Sequence, residues 1–176
     1  MEERRTLRPK PNLMKKGAKI LGHHIHPVLI VFPLGLLSAG TIFDLIHFFW
    51  PNNTFGIVAF WMMVAGIAGG LVAALFGWID WFAIPAGTRA KRIGLIHGLA
   101  NVAVLTLFAV SALLRKDDIA HPTGLATALA VVGFAISGLG GWLGGELVER
   151  LGIGVDPNAH PDAPNSLLHE TVRREQ

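Results

Sequence analysis

Residues 22–50 read GHHIHPVLIVFPLGLLSAGTIFDLIHFFW, and within them residues 27–43 carry no charged side chain. An apolar run of this kind is read as a membrane-spanning helix, because about 20 residues of helix are needed to cross a bilayer core. Ionisable groups sit only at its ends, with His23, His24 and His26 before it and Asp44 and His47 after it. The interval from His26 to Asp44 is five whole turns at 3.6 residues per turn, so both lie on one helix face, roughly 27 Å apart along the axis. Polar groups placed at the two ends of an apolar crossing are the first places to look for function.

Outward from this stretch, residues 55–79 and 123–145 carry no charge, and residues 93–114 have His97 as their only ionisable group. Four runs predict four crossings. The separators 51–54 and 115–122 read as short turns, with Thr54 as a helix cap. Residues 80–92 read as an interfacial loop with Trp81 and Phe82 at headgroup level, followed by Pro85, Gly87, Arg89, Lys91 and Arg92. The 176 residues are 52% hydrophobic and only 15% charged, which suits one membrane domain and not a soluble globule. With no Cys, disulfides, thiolate zinc sites, Cys-ligated iron–sulfur clusters and covalent c-type haem are excluded.

The formal charge of +3 is no argument for nucleic acid, because the cations lie in the tails and one loop and not along a helix face. They report orientation instead. Residues 1–21 hold seven Lys or Arg, the 80–92 loop three and residues 146–176 three, against Arg115 and Lys116 on the other side. By the positive-inside rule both termini are expected in the cytoplasm. The fold class expected is all-α, an integral-membrane, up-down four-helix bundle. Its divisions are a basic arm at 1–21, a transmembrane domain at 22–152, and a polar, Pro-containing tail at 153–176 with at most a short helix from Ser166 onward. The first apolar run is expected to be retained and not cleaved as a secretory signal.

Small residues line two crossings: Gly66, Gly69, Gly70, Ala73 and Gly77 in the second, Gly133, Ser137, Gly140, Gly141 and Gly144 in the fourth. They are expected to let helices approach closely. No internal sequence repeat stands out. In an antiparallel bundle the starts of crossings one and three meet the ends of crossings two and four. That gathers His26, Asp80, His97, Asn101 and Glu146 at one end, with His23 and His24 nearby. His97 and Asn101 are four apart and share a face. His97 lies about 6 Å into its apolar run, so it is expected to have a partner.

Four readings of this end compete. Haem b could be held between His26 and His97. A metal could draw on His23, His24, His26, His97 and Glu146 or Asp80. A His and Asp pair could pass protons to a quinone. The plainest alternative is a structural clasp in which His97, Asn101 and Asp80 bond helix to helix. At the opposite end Asp44, His47 and Arg115 are expected to form an interfacial ion-pair cluster.

Several ordered motifs carry a resemblance. They are residues 26–33 (HPVLIVFP), Phe43-Asp44, residues 77–81 (GWIDW), residues 84–92 (IPAGTRAKR), His97-Gly98, Asn101, Gly144-Gly145, Leu147-Val148 and residues 152–155 (GIGV). Together, over roughly residues 22–157, the chain resembles a bacterial membrane family catalogued as domain of unknown function 2231. The resemblance implies a four-helix domain of the bacterial inner membrane without an assigned reaction. Some relatives look like this domain joined to a Rieske iron–sulfur domain, which implies a redox partner of the quinone, Rieske or cytochrome type. Where such relatives carry a His-Leu-Val-Tyr run, this chain has Glu146-Leu147-Val148-Glu149. The imidazoles of His26 and His97 would then carry the cofactor, with Asp80 and Asn101 as their supporting partners. The function expected is an accessory redox or quinone/haem-associated electron-transfer module with no catalysis of its own. The alternatives are a cofactor-free anchoring subunit and a proton-coupled or metal-ion carrier. Four crossings without broken helices leave little room for alternating access unless the chain oligomerises.

Overall fold

The computed structural model describes residues 17–157 and 159–166. The greater part of the basic arm and the tail beyond Ser166, where a short helix was expected, lie outside the described residues. The chain enters through a two-stranded antiparallel hairpin, β1 (Lys19–Ile20) and β2 (His23–His24). Its turn is made by Leu21 and Gly22, both at positive φ (49° and 83°), as a tight primed hairpin turn requires.

The first crossing is a broken helix, α1 (Ile25–Leu29) and α2 (Val31–Phe49). The cause is Pro33, which has no N–H for the carbonyl of Leu29 and whose ring crowds it, so the chain adjusts at Ile30. Pro27, in the first turn, is tolerated because that turn has no intrahelical acceptors for its N–H groups. The second crossing, α3 (Asn53–Ala83), starts at Asn52, whose side chain accepts from Thr54 N at 2.9 Å. The cap is therefore Asn52, two residues before Thr54, since its amide oxygen reaches the open Thr54 N–H.

The helix α3 then runs past Asp80, Trp81 and Phe82 to Ala83, so most of the expected 80–92 loop is helical. Nothing before Pro85 stops it. Only residues 84–88 connect α3 to α4 (Arg89–Leu114), with Gly87 at φ 78° and Thr88 capping Lys91 N at 3.1 Å. The last crossing, α5 (Gly124–Gly145), is capped by Thr123 and widens into a π-helical turn over Glu146–Arg150.

All four crossings are long and apolar enough to span a membrane, and they close into the expected four-helix bundle. Large apolar side chains point outward along them, among them Phe32, Phe48, Trp61, Leu75, Leu99 and Leu139, as lipid-facing surfaces do. The interior is thin, built on Leu37, Met63, Val104, Phe108 and Ala130. It is thin because small residues bring backbones together: a Cβ on Gly66 would meet the Leu37 side chain, and one on Gly133 would meet Phe108. Gly141, by contrast, faces open space and does not belong to the packed stripe.

Candidate functional site between the two histidines

At the end of the bundle where α1 and α4 begin, a cavity of about 520 Å³ opens among the helices. Its size falls within the range of small-molecule and cofactor sites. His26, Gly77, His97, Asn101 and Gly144 line it, and Leu37 and Leu105 lie among its apolar wall residues.

The two imidazoles meet edge to face, with ring centres 6.3 Å apart and planes at 87°. Each is fixed in the same manner. His26 Nδ1 lies 2.8 Å from the Ala73 carbonyl of α3, and His97 Nδ1 lies 2.9 Å from the Gly140 carbonyl of α5. A carbonyl oxygen only accepts, so both Nδ1 atoms carry the hydrogen and donate it. Both Nε2 atoms are then the bare nitrogens, the form in which imidazole accepts a hydrogen bond or binds a metal.

Room for each ring comes from a glycine one turn beyond the accepting carbonyl. A Cβ at Gly77 would stand 2.9 Å from His26 Cε1, and one at Gly144 would stand 3.3 Å from His97 Cε1. The expectation that His97 has a partner thus holds twice over, because Asn101 Nδ2 also donates to His97 Nε2 at 3.2 Å and to the His97 carbonyl at 2.9 Å. His26 Nε2 makes no hydrogen bond with the described residues.

The other residues read as site candidates have different company. Asp80 does not reach His26 or His97. Its Oδ1 accepts from Ala18 N at 3.0 Å and from His24 Nδ1 at 3.3 Å, tying the β-hairpin across the cavity mouth. His24 is buried there, while His23 is exposed and hydrogen-bonded to Ser166 Oγ at 3.3 Å. Glu146 accepts from Arg89 Nη2 at 2.7 Å. Among the described residues, no three of His, Asp and Glu converge on a point that could hold a metal ion. The separation has a simple origin: His23 and His24 lie on a strand whose residues alternate in direction, so adjacent histidines cannot face one point.

The cluster at the far end is also rearranged. Asp44 and Arg115 form a bidentate pair, Nη1 to Oδ1 at 2.7 Å and Nη2 to Oδ2 at 2.9 Å, with both side chains fully buried. Ser111 completes it, its hydroxyl accepting from Arg115 Nη2 at 2.8 Å and its carbonyl from Arg115 Nε at 3.2 Å. An interfacial pair was expected, but Arg115 turns back into the bundle from the end of α4. His47 stays outside it, bonded to the Asn52 carbonyl at 2.9 Å and set against the His121 ring.

What sequence reasoning missed are the acceptors Ala73 and Gly140 and the clearances at Gly77 and Gly144. The only signal for them is a small residue repeated four positions on in each of the two helices. No curated protein and no solved structure matches the chain. Residues 22–157 match the profile of the family described as predicted membrane protein (DUF2231); together with four apolar crossings closed into a bundle, that match makes the chain a member of this membrane-protein family.

Proposed function

We propose that the protein is an accessory electron-transfer module of the bacterial inner membrane, holding haem b between His26 and His97. The observation that carries this reading is the pair of imidazoles at one level of the cavity, 6.3 Å apart at their centres and edge to face, each with Nδ1 bonded to a main-chain carbonyl. Two imidazoles on opposite sides of one metal ion, each bonded at about 2 Å, put their ring centres about 6 Å apart. A quinone ring hydrogen-bonded to both through its two opposite oxygens would need roughly 13 Å between the imidazole centres, so the spacing favours a single metal atom over a bridging quinone. Iron bound there would supply one-electron chemistry at a potential set by its axial ligands and its burial. The backbone carbonyls of Ala73 and Gly140 would hold the ring planes and raise the basicity of the ligating nitrogens. A quinone, Rieske-type or cytochrome partner would then exchange electrons at the cavity mouth. One observation favours the cofactor-free anchor instead: Asn101 already satisfies His97 Nε2, as a structural clasp between helices would.

For orientation we propose that both termini face the cytoplasm. With Arg115 neutralised by Asp44 inside the bundle, Lys116 is the one Lys or Arg left outside it at the opposite end, which sharpens the charge bias. A reporter fused after Gln176 should be active only as a cytoplasmic fusion. For the cofactor, protein purified in detergent from haem-replete cells should show a Soret band that shifts in His97→Ala and disappears when His26→Ala is added to it. A colourless, metal-free preparation, with His97→Ala folding normally, would leave the anchor reading in its place.

A further inference from the structure

The bundle contains a repeat that residue identity hides. The interval from His26 to His97 is 71 residues, and so is the interval from Asp44 to Arg115. Laid over one another with that shift, the first and third crossings share four buried positions: Pro33 with Val104, Leu37 with Phe108, Gly40 with Ser111, Asp44 with Arg115. The second and fourth crossings correspond with a shift of 67, as in Ala59 with Ala126, Met63 with Ala130, Gly66 with Gly133, and Ala73 with Gly140.

The contacts between helices repeat under the same two shifts. His26 donates to Ala73 O as His97 donates to Gly140 O. The ring of His26 rests on Gly77 as that of His97 rests on Gly144, and Leu37 fills the space at Gly66 as Phe108 fills it at Gly133. A Cβ on Gly40 meets the Ala59 carbonyl, where the Ser111 hydroxyl donates to the Ala126 carbonyl. Two pairs join a residue to its own counterpart: His26 with His97 and Asp44 with Arg115. Contact between equivalent positions is the mark of a two-fold axis. Here the axis runs along the bundle and relates the hairpin α1–α3 to the hairpin α4–α5, both inserted in the same sense, as in parallel membrane repeats.

We infer that the chain is a duplicated helical hairpin whose cavity lies on this axis, so that His26 and His97 are equivalent residues and would hold the proposed haem alike. The iron rests on the haem reading above; the two-fold itself rests on packing alone. The consequence is functional. Held by both imidazoles, a haem iron would supply electron transfer and would have no protein-free position for a reactant. One departure from symmetry is Asn101, whose counterpart is Ile30. Asn101 can retain its bond to the His97 carbonyl when Nε2 turns to a ligand.

Two experiments on the full chain separate the two layers. In the first, Asp44→Arg and Arg115→Asp are made singly and together, the combined variant also carrying Gly40→Ser and Ser111→Gly. Each single change should abolish the cooperative thermal transition in detergent, and the combined exchange should recover most of it. A combined variant as unstable as the single ones overturns the two-fold. In the second, His26→Ala and His97→Ala should each convert a six-coordinate low-spin spectrum to the same five-coordinate spectrum, and added imidazole should restore both. One variant keeping the wild-type spectrum overturns the equivalence while leaving haem binding intact. Wild-type protein free of haem overturns the iron ligation together with the proposed function, and the charge exchange still decides the duplication.

Discussion

Replacing Arg115 by Leu removes both partners of the Asp44 carboxylate, at 2.7 and 2.9 Å, from a place where neither side chain is exposed. An ionised carboxylate left there has no water to turn to, so Asp44 must take up a proton or draw water into the bundle. Breaking a buried pair by removing one member costs about 3–5 kcal/mol. At 1.4 kcal/mol per tenfold, this lowers the folded-to-unfolded ratio by roughly two to three and a half orders of magnitude. Removing both charges together is a different perturbation. In Asp44→Leu/Arg115→Met the desolvation of two ions disappears along with their attraction, and such replacements range from neutral to stabilising by about 1–4 kcal/mol. Ser111 keeps a partner in the double variant, because its hydroxyl still donates to the Ala126 carbonyl at 2.6 Å. Equilibrium unfolding in mixed detergent, followed by circular dichroism, reads both variants against wild type. A single variant that loses less than about 1 kcal/mol, the worth of an exposed pair, would refute the reasoning.

Further tests address the rest of the molecule. Gly77→Ala should cost about 1–3 kcal/mol by overpacking and Gly144→Ala less, because the added methyl stands 2.9 Å from His26 in one case and 3.3 Å from His97 in the other; thermal melts rank them. Thr88→Ala should cost about 1 kcal/mol through loss of the cap on Lys91 N, again read by unfolding. In the turn after α4, hydrogen bonds from His121, the side chain first, hold the Asp118 carboxyl below its ordinary value of 3.8. A carboxyl lowered in the folded state stabilises above its unfolded value, and that contribution fades as pH falls through the folded one. A carboxyl NMR titration should therefore place the Asp118 midpoint below 3.8 and show it rising toward that value in His121→Ala.

Much of the architecture is legible without coordinates, because lipid imposes so strong a rule. A chain with few charges and four uninterrupted apolar runs must satisfy its backbone internally, and helices do so. The spacing of His26 and Asp44 on one face, the shared face of His97 and Asn101, and the small-residue stripes follow from helical periodicity alone. The end of α3 was misjudged because the charge of Asp80 ends the apolar run and Trp81 and Phe82 suit the headgroup layer, yet nothing before Pro85 interrupts the backbone hydrogen bonds.

The residues alone determined that this chain crosses a membrane as helices and that two imidazoles lie at the same end of the bundle. Tertiary structure decided which nitrogen each imidazole leaves bare, since the acceptors are main-chain carbonyls and every residue has one. It also decided that Asp44 meets Arg115 and that the two hairpins are equivalent. Between the first and third crossings only four of nineteen aligned residues agree over 26–44 and 97–115. Apolar side chains exchange freely against lipid, and what repeats is the pattern of close approach between backbones, a property that residue identity does not carry.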